Sequence, residues 1–456
     1  MNSPNLLFVF ADQHRACDLG CYGNPEVATP HLDALASAGL RFTHCTSNSP
    51  LCVPARGSLL TGQFPWNHRA LTNDLPVRPD APSIARVMQA SGRRTGYIGK
   101  WHLGGIPRDR FIPEGERLGF GAWKAYNCNH HYSKGFYYDE ANHRHGMENH
   151  AAIAETDLAL DFIRQHRGVP WSLHLSWEPP HDPYQDVPAQ YRRRYHGADL
   201  TLRPNVILPA RLSEDRVVDE GTLRENLAGY YSLITLLDDQ FGRLLSALEE
   251  TGQRENTLIV YTSDHGDLHA SHGYLNKQMP HAESVGVPLL IAGPGVRRGV
   301  CEETIGLVDL PVTLAAGLGA RWEDPSDGQD LSSLLTDPKA AGPEGVLIFD
   351  LVPVHQSAAR GAPEWLGVKT KEATWAMGPD GKDWIHYDDA KDPFQRLNLA
   401  GASQGAPDRA ALRSLTERLL ARHRYRFRPW AQMLKEDKFL GEWNRSQAHF
   451  HLPLLD

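Results

Sequence analysis

Leu6-Leu7-Phe8-Val9-Phe10-Ala11-Asp12-Gln13 decides how the rest of the chain is read. An unbroken apolar run leaves no polar side for solvent, as in a strand buried on both faces of a parallel sheet. It stops abruptly at two polar side chains. In open α/β sheets the carboxyl ends of such strands face the crevice where ligands bind. Thr257-Leu258-Ile259-Val260-Tyr261-Thr262 repeats the pattern and ends in Ser263-Asp264-His265-Gly266-Asp267. Residues 171–177 form a third run, followed by Glu178-Pro179-Pro180-His181-Asp182, and residues 95–99 a shorter one leading into Lys100-Trp101-His102.

Helical periods lie between these runs. Residues 29–40, 83–91, 152–166 and 308–318 each show an apolar face, and Gly92 supplies a stop for the second. The clearest is 223–250, where Leu227, Tyr230, Ile234, Leu237, Phe241, Leu244 and Leu248 recur at three- and four-residue steps before Gly252. Residues 287–292 read as a further strand. The alternation predicts an α/β fold, a mostly parallel central sheet flanked by helices. The pattern changes near Ala341. Residues 346–350, 365–369, 374–377 and 384–387 read as short strands, with Gly378-Pro379-Asp380-Gly381 as a turn between two of them. A helix follows over 408–423 and an irregular tail from Arg424. The expected division is a large domain over 1–340 and a smaller C-terminal α+β domain over 341–456. Residues 111–150 and 185–216 lack a clean period and read as loops; Asn127, Asn129, His130, His131, Tyr132 and Tyr137 in the first are candidates for lining a pocket.

Composition narrows the partners. The 456 residues are 41% hydrophobic and 22% charged, within the ordinary globular range. A formal net charge of -8 disfavours nucleic acid and anionic membrane. No apolar stretch is long enough to span a bilayer. The apolar run at Leu6 has no basic residue before it, as a secretion signal would. The expectation is a cytoplasmic location, or a periplasmic or secreted one if an export signal has been removed. The six cysteines are too scattered for a disulfide scaffold. No pattern points to an oligomeric state.

Asp12-Gln13 and Asp264-His265 together offer oxygens and one imidazole, a set suited to Ca²⁺, Mg²⁺ or Mn²⁺ more than to zinc. Taken alone, an Asp at a strand end is more often a turn former or helix cap than a ligand. Cys52-Val53-Pro54-Ala55-Arg56 precedes Gly57-Ser58-Leu59-Leu60-Thr61-Gly62. Pro54 suits a first helical turn and Gly62 a stop, which places Cys52 at a helix start where free N–H groups favour an anion. Lys100 and His102 have strand spacing and face one side; His181 and Lys277 lie near the other strand ends.

The Cys-x-Pro-x-Arg element with Leu59-Leu60-Thr61-Gly62 resembles the signature of the type I, formylglycine-dependent sulfatases. Other landmarks of that family follow in order: Ala11-Asp12-Gln13, Gly99-Lys100-Trp101-His102, Pro180-His181, Ser263-Asp264-His265-Gly266, Lys277 and Val287-Pro288-Leu289-Leu290. The segment from Asp388-Asp389 to Asn398-Leu399-Ala400 resembles the family's C-terminal motif. The resemblance implies the alkaline phosphatase-like fold, with the catalytic domain in 1–340. It implies that a maturation enzyme oxidises Cys52 to formylglycine. Asp12, Gln13, Asp264, His265 and residue 52 would hold one divalent cation, Ca²⁺ ahead of Mg²⁺ or Mn²⁺. The hydrated aldehyde would attack the sulfur of a sulfated carbohydrate or other small organic sulfate. Lys100 and Lys277 would bind the sulfate, Arg56 would fix the hydrate, and His181 would protonate the leaving alcohol with Lys277 as rival or helper. His102 would take the proton of the second hydroxyl, so that sulfate leaves by elimination and the aldehyde is regenerated.

Two departures matter. Many sulfatases carry Asp and Asn where this chain has Gln13 and His265, and the Gln/His pair is similar to choline-sulfatase and phosphonate monoester hydrolase relatives. The runner-up reading is therefore a phosphonate monoester or phosphodiester hydrolase. Those hydrolases have Tyr and Thr where this chain has Lys100 and His102, which favours the sulfatase. Asn73 matches a position where such relatives place an active-site Asn. A non-catalytic anion-binding relative is the third reading, and the complete residue set argues against it.

Overall fold

The computed structural model describes residues 3–212, 216–354, 356–402 and 408–455. Its large sheet grows outward from β1 (Asn5–Asp12), every residue of which is buried. Alternate side chains of β1 enter different cores: Leu7, Val9 and Ala11 join one, Leu6, Phe8 and Phe10 the other. A strand with a core on each side has no solvent face, and its apolar run is unbroken for that reason.

The other strands follow in chain order: β2 (Leu40–Thr46), β3 (Arg94–Lys100), β4 (Ala122–Tyr126), β5 (Phe136–Tyr138), β6 (Arg144–Gly146), β7 (Trp171–Pro180), β8 (Ala210–Arg211), β9 (Val217–Val218), β10 (Thr257–Ser263), β11 (Leu289–Ala292) and β12 (Gly299–Gly306). The large sheet has the order β12-β2-β11-β10-β1-β7-β3-β4-β5-β6, and β8 pairs with β9 apart from it. The five central strands, β10 to β4, are parallel. β11 runs antiparallel to both β10 and β2, and β5 and β6 are antiparallel at the other edge. The expected parallel sheet is thus the centre of a larger mixed one. β2, β4 and β12 are strands that sequence reading passed over. The β12 sequence GVCEETIG puts charged residues on a partly exposed edge and shows no continuous apolar run.

Helices cover both faces. Pro30–Ala38, Ala151–Gln165 and Glu220–Glu250 pack on the Leu7 side, and Cys52–Thr61, Ile84–Ala90 and Leu310–Gly317 on the Phe8 side. Among the described residues, no helix is long and apolar enough to cross a membrane.

Register places the site. Ala11 pairs with Ser263, and Gly99 with Ser176. Asp12, Asp264, Lys100 and Glu178 therefore emerge along one edge of the parallel strands. Gly99 makes this possible at β3: its φ is +98°, and a Cβ there would lie 2.1 Å from the Ser176 carbonyl oxygen.

The C-terminal part is a separate antiparallel sheet, β13 (Val346–Asp350), β14 (Trp365–Lys369), β15 (Ala373–Met377) and β16 (Asp383–Asp388), in sequential order. Helix Arg409–Arg422 follows, with Asp408 accepting from Ala410 and Ala411 N–H as its cap. The tail is not irregular as expected. It forms helices Trp430–Glu436 and Leu440–His449, which bury Met433, Leu434 and Trp443 in a core shared with Phe349 and Leu366. Helices this short carry too few apolar residues for a periodic signal. Trp66, just after the Cys52 helix, stacks on Tyr425 at 4.1 Å and 16°.

Candidate active site

Helix Cys52–Thr61 is buried along its whole length. Gly62 ends it at φ +65°, its N–H donating to the Ser58 carbonyl, as the sequence predicts. Asn73 Oδ1 accepts from Val53 N–H at 3.1 Å and so caps the first turn. At this helix start the Cys52 Sγ lies 3.3 Å from His265 Nε2, 3.4 Å from Lys277 Nζ and 3.7 Å from Asp12 Oδ1. The helix start does not make Cys52 an anion. Burial, then the Asp12 charge, push its thiol up to about 12, and Lys277 and Lys100 do not reverse this.

Asp12, Cys52, Asp264 and His265 present donor atoms that all lie within 4.8 Å of one another. His265 Nδ1 donates to the Gly266 carbonyl at 3.0 Å, which leaves the Nε2 lone pair facing Cys52, Asp12 and Asp264. Burial keeps that imidazole neutral, its pKa below the usual value. Gln13 Oε1 accepts from Lys277 Nζ at 2.6 Å on the same side. Two carboxylates, one amide oxygen and one neutral imidazole, all buried, fit a divalent cation.

Arg56 stands one turn below Cys52 and uses its donors on the same carboxylates. Nε donates to Asp264 Oδ2 at 2.9 Å and one terminal nitrogen to Asp12 Oδ2 at 3.0 Å. The other terminal nitrogen donates to the Lys100 carbonyl at 2.9 Å and to Ser176 Oγ at 2.7 Å. Among the described residues, none of its hydrogen bonds reaches Cys52. Lys100 Nζ bridges Asp12 Oδ2 at 2.8 Å and Glu178 Oε1 at 3.0 Å. Burial raises the Asp12 pKa, but the Lys100, Arg56 and Lys277 cations hold it well below the carboxylate range. Burial likewise opposes the Lys100 charge, which Asp12 and Glu178 restore.

His181 Nδ1 lies 2.7 Å from the Asp182 carbonyl, to which it donates, so its Nε2 carries the lone pair. Burial, then Lys277, depress its pKa well below 6.5. His102 is also neutral, through burial and the Lys100 cation, and neither ring nitrogen has a hydrogen-bond partner among the described residues.

Sequence reading assigned no role to Glu178, Ser176, Asp267 or Tyr184. Glu178 follows the same rule as Asp12 and Asp264, a carboxylate at the end of a buried strand, and that rule was enough to find it. Its Oε1 also lies 2.9 Å from His130 Nδ1, and the His130 ring stacks on His181 at 4.7 Å. Cys128, His130 and Glu178 have metal-ligand proximity too. The Lys100 ammonium sits on the same Glu178 oxygen and joins this cluster to Asp12 through ion pairs. Burial disfavours the His130 cation, but Glu178 raises its pKa to about 10.

Two measurements follow from these contacts. Arg56→Met leaves Asp12 and Asp264 buried beside a neutral side chain, and should cost about 3–5 kcal/mol of unfolding free energy in urea with a chelator present. His130 has a folded pKa of about 10 against an ordinary 6.5, so its stabilisation is complete below 6.5 and is lost as pH rises through 10. Stability of His130→Gln should therefore fall less between those pH values than that of the unaltered chain.

A Sulfatase family model matches residues 4–320. An ulvan-active sulfatase of Formosa agariphila is 34% identical over 87% of this chain and 77% of its own length. An endo-4-O-sulfatase of Bacteroides thetaiotaomicron is 27% identical over 87% of this chain and 88% of its own. The solved phosphonate monoester hydrolase from Silicibacter pomeroyi superposes with a TM-score of 0.75 at 25% identity, covering 93% of this chain and 96% of that one. The buried Cys-x-Pro-x-Arg helix and the strand-end residues around it thus lie inside a match that spans most of the chain, and the chain belongs to the sulfatase family, hydrolases of sulfate esters.

Proposed function

We propose that the chain desulfates a carbohydrate sulfate ester, with residue 52 oxidised to formylglycine and Ca²⁺ as the cation. The observation that carries this reading is the convergence of His265 Nε2, Lys277 Nζ and Asp12 Oδ1 on one cysteine sulfur at a buried helix start. A cysteine whose thiol stays protonated at neutral pH is a poor nucleophile, whereas a hydrated aldehyde there offers two hydroxyls. A bound cation supplies Lewis acidity that acidifies one hydroxyl and offsets the charge of the sulfate. Asp12, Gln13, Asp264 and His265 would hold it. The carbohydrate part of the proposal draws on the two relatives, one named for ulvan and one for 4-O-sulfate.

This chain's residues then divide the work. Lys100 and Lys277 bind the sulfate oxygens and stabilise charge developing during S–O cleavage. Lys277 is the charged donor nearest residue 52, and we assign it the proton that the leaving alkoxide takes. His181, neutral with Nδ1 held by the Asp182 carbonyl, accepts rather than donates, and so orients the alcohol. His102, with both nitrogens unengaged, takes the proton of the second hydroxyl so that sulfate leaves by elimination. Arg56 acts through Asp12 and Asp264, and Asn73 through the helix start it caps. Domain boundaries at 1–340 and 341–456 remain part of this proposal.

The second reading, phosphonate monoester hydrolysis, is favoured by the Gln13 and His265 pair and by the Silicibacter pomeroyi likeness. Lys100 and His102 favour the sulfatase. Chain co-produced with a formylglycine-generating enzyme is expected to show the aldehyde at residue 52 by mass spectrometry. It should turn over sulfated saccharides with a higher kcat/KM than an aryl phosphonate. Cys52→Ala should fold normally and lose at least about 10⁴-fold in kcat. Faster phosphonate turnover, or full sulfatase activity with an unmodified thiol, contradicts the reading.

A further inference from the structure

As a candidate cation ligand, Gln13 depends on which way round its side chain sits. A carboxamide offers an oxygen on one side and an NH₂ on the other, and only the oxygen can ligate. The backbone of Gln13 is pinned: its φ is +70°, its N–H donates to Asp264 Oδ1 at 3.1 Å, and its carbonyl accepts from Tyr230 OH at 2.7 Å. Its Nε2 donates to Asp267 Oδ2 at 2.6 Å and to Tyr184 OH at 3.2 Å. Tyr184 OH in turn donates to the same Asp267 oxygen at 2.5 Å, and His269 N–H donates to Asp267 Oδ1 at 3.0 Å. Each of these groups on Asp267 is a donor, as an acceptor-only carboxylate requires. Both hydrogens of the Gln13 NH₂ are thereby used, and the oxygen faces Lys277 and the cation ligands.

We propose that Asp267, supported by Tyr184, is a positioning residue that sets the orientation of the Gln13 amide and so presents its oxygen to the cation. This rests on the reading that the Asp12–Asp264 cluster holds a divalent cation. A flipped amide would place its oxygen against the Asp267 carboxylate and its NH₂ against the Lys277 ammonium, two repulsive contacts in a buried site. The arrangement also accounts for glutamine at this position. A carboxylate at 13 would face Asp267 with no hydrogen between them, whereas the amide carries its own donor on that side.

The test is Ca²⁺ titration by calorimetry into chelator-stripped full chain. Asp267→Asn offers a donor or an acceptor and no longer selects one amide orientation. It should weaken Ca²⁺ binding by about 10–100-fold, the range for groups that hydrogen-bond to metal ligands and hold them in place. Exchanging donor and acceptor in Gln13→Glu/Asp267→Asn restores a single orientation. The amide then at position 267 donates to one oxygen of the carboxylate at position 13 and leaves the other for the cation. This double variant should bind Ca²⁺ more tightly than either Gln13→Glu or Asp267→Asn, a recovery that a purely structural Asp267 would not give. Binding by Asp267→Asn within about twofold of the unaltered chain overturns the proposal. So does a double variant that fails to fold, or binds no better than its single parents. Absence of Ca²⁺ binding by the unaltered chain removes the cation site itself, and is distinguishable from loss of the clamp alone.

Discussion

Two carboxylates shut away from water, Asp12 and Asp264, set the conditions for everything around them. Neither could stay ionised alone in such a place. One guanidinium reaches both, and it comes from the helix that carries residue 52. On a helix, residues four apart share a face, so Arg56 lies one turn beneath Cys52 and braces the aspartates while residue 52 faces their open side. The spacing in Cys-x-Pro-x-Arg is therefore a mechanical requirement. It couples the position of residue 52 to the counter-ion of the groups beside it.

The parallel sheet supplies the other half. Parallel pairing of β1 with β7 and β10, and of β3 with β7, brings Asp12, Lys100, Glu178 and Asp264 to one edge, although they are far apart in sequence, with a register shift between β1 and β7 that sets Asp12 opposite Pro180. Lys100 then shares its charge between Asp12 and Glu178, and Glu178 shares its own with His130. If Asp12 is engaged by a cation, Lys100 still has Glu178 as partner. The network thus holds buried charge of both signs without demanding that any one pair remain intact.

Much of this was legible in the chain. β1 and β10 were visible because burial on both faces removes every polar residue from a strand, and the polar residues that follow then stand out. The Cys52 helix was visible from Pro54 and Gly62. What stayed hidden depends on neighbours. Glu178 could be seen at a strand end, but its partnership with Lys100 requires β3 beside β7, which no local pattern encodes. The upward push on the Cys52 thiol was hidden too, because it comes from burial and from Asp12 on another strand. The contact of His181 Nδ1 with the Asp182 carbonyl was hidden for a related reason: it lies within a Pro-rich turn that periodicity does not describe. β12 and the two tail helices were missed because half-exposed edges and short helices carry mixed composition.

The central claim is that these buried charges are arranged around a divalent cation beside residue 52. Anomalous scattering from crystals soaked in Ca²⁺ tests it most directly. The prediction is one peak about 2.3–2.6 Å from oxygens of Asp12, Asp264 and Gln13, with His265 Nε2 facing it. A map with no peak at these strand ends, or with the ion among Cys128, His130 and Glu178 instead, would contradict it.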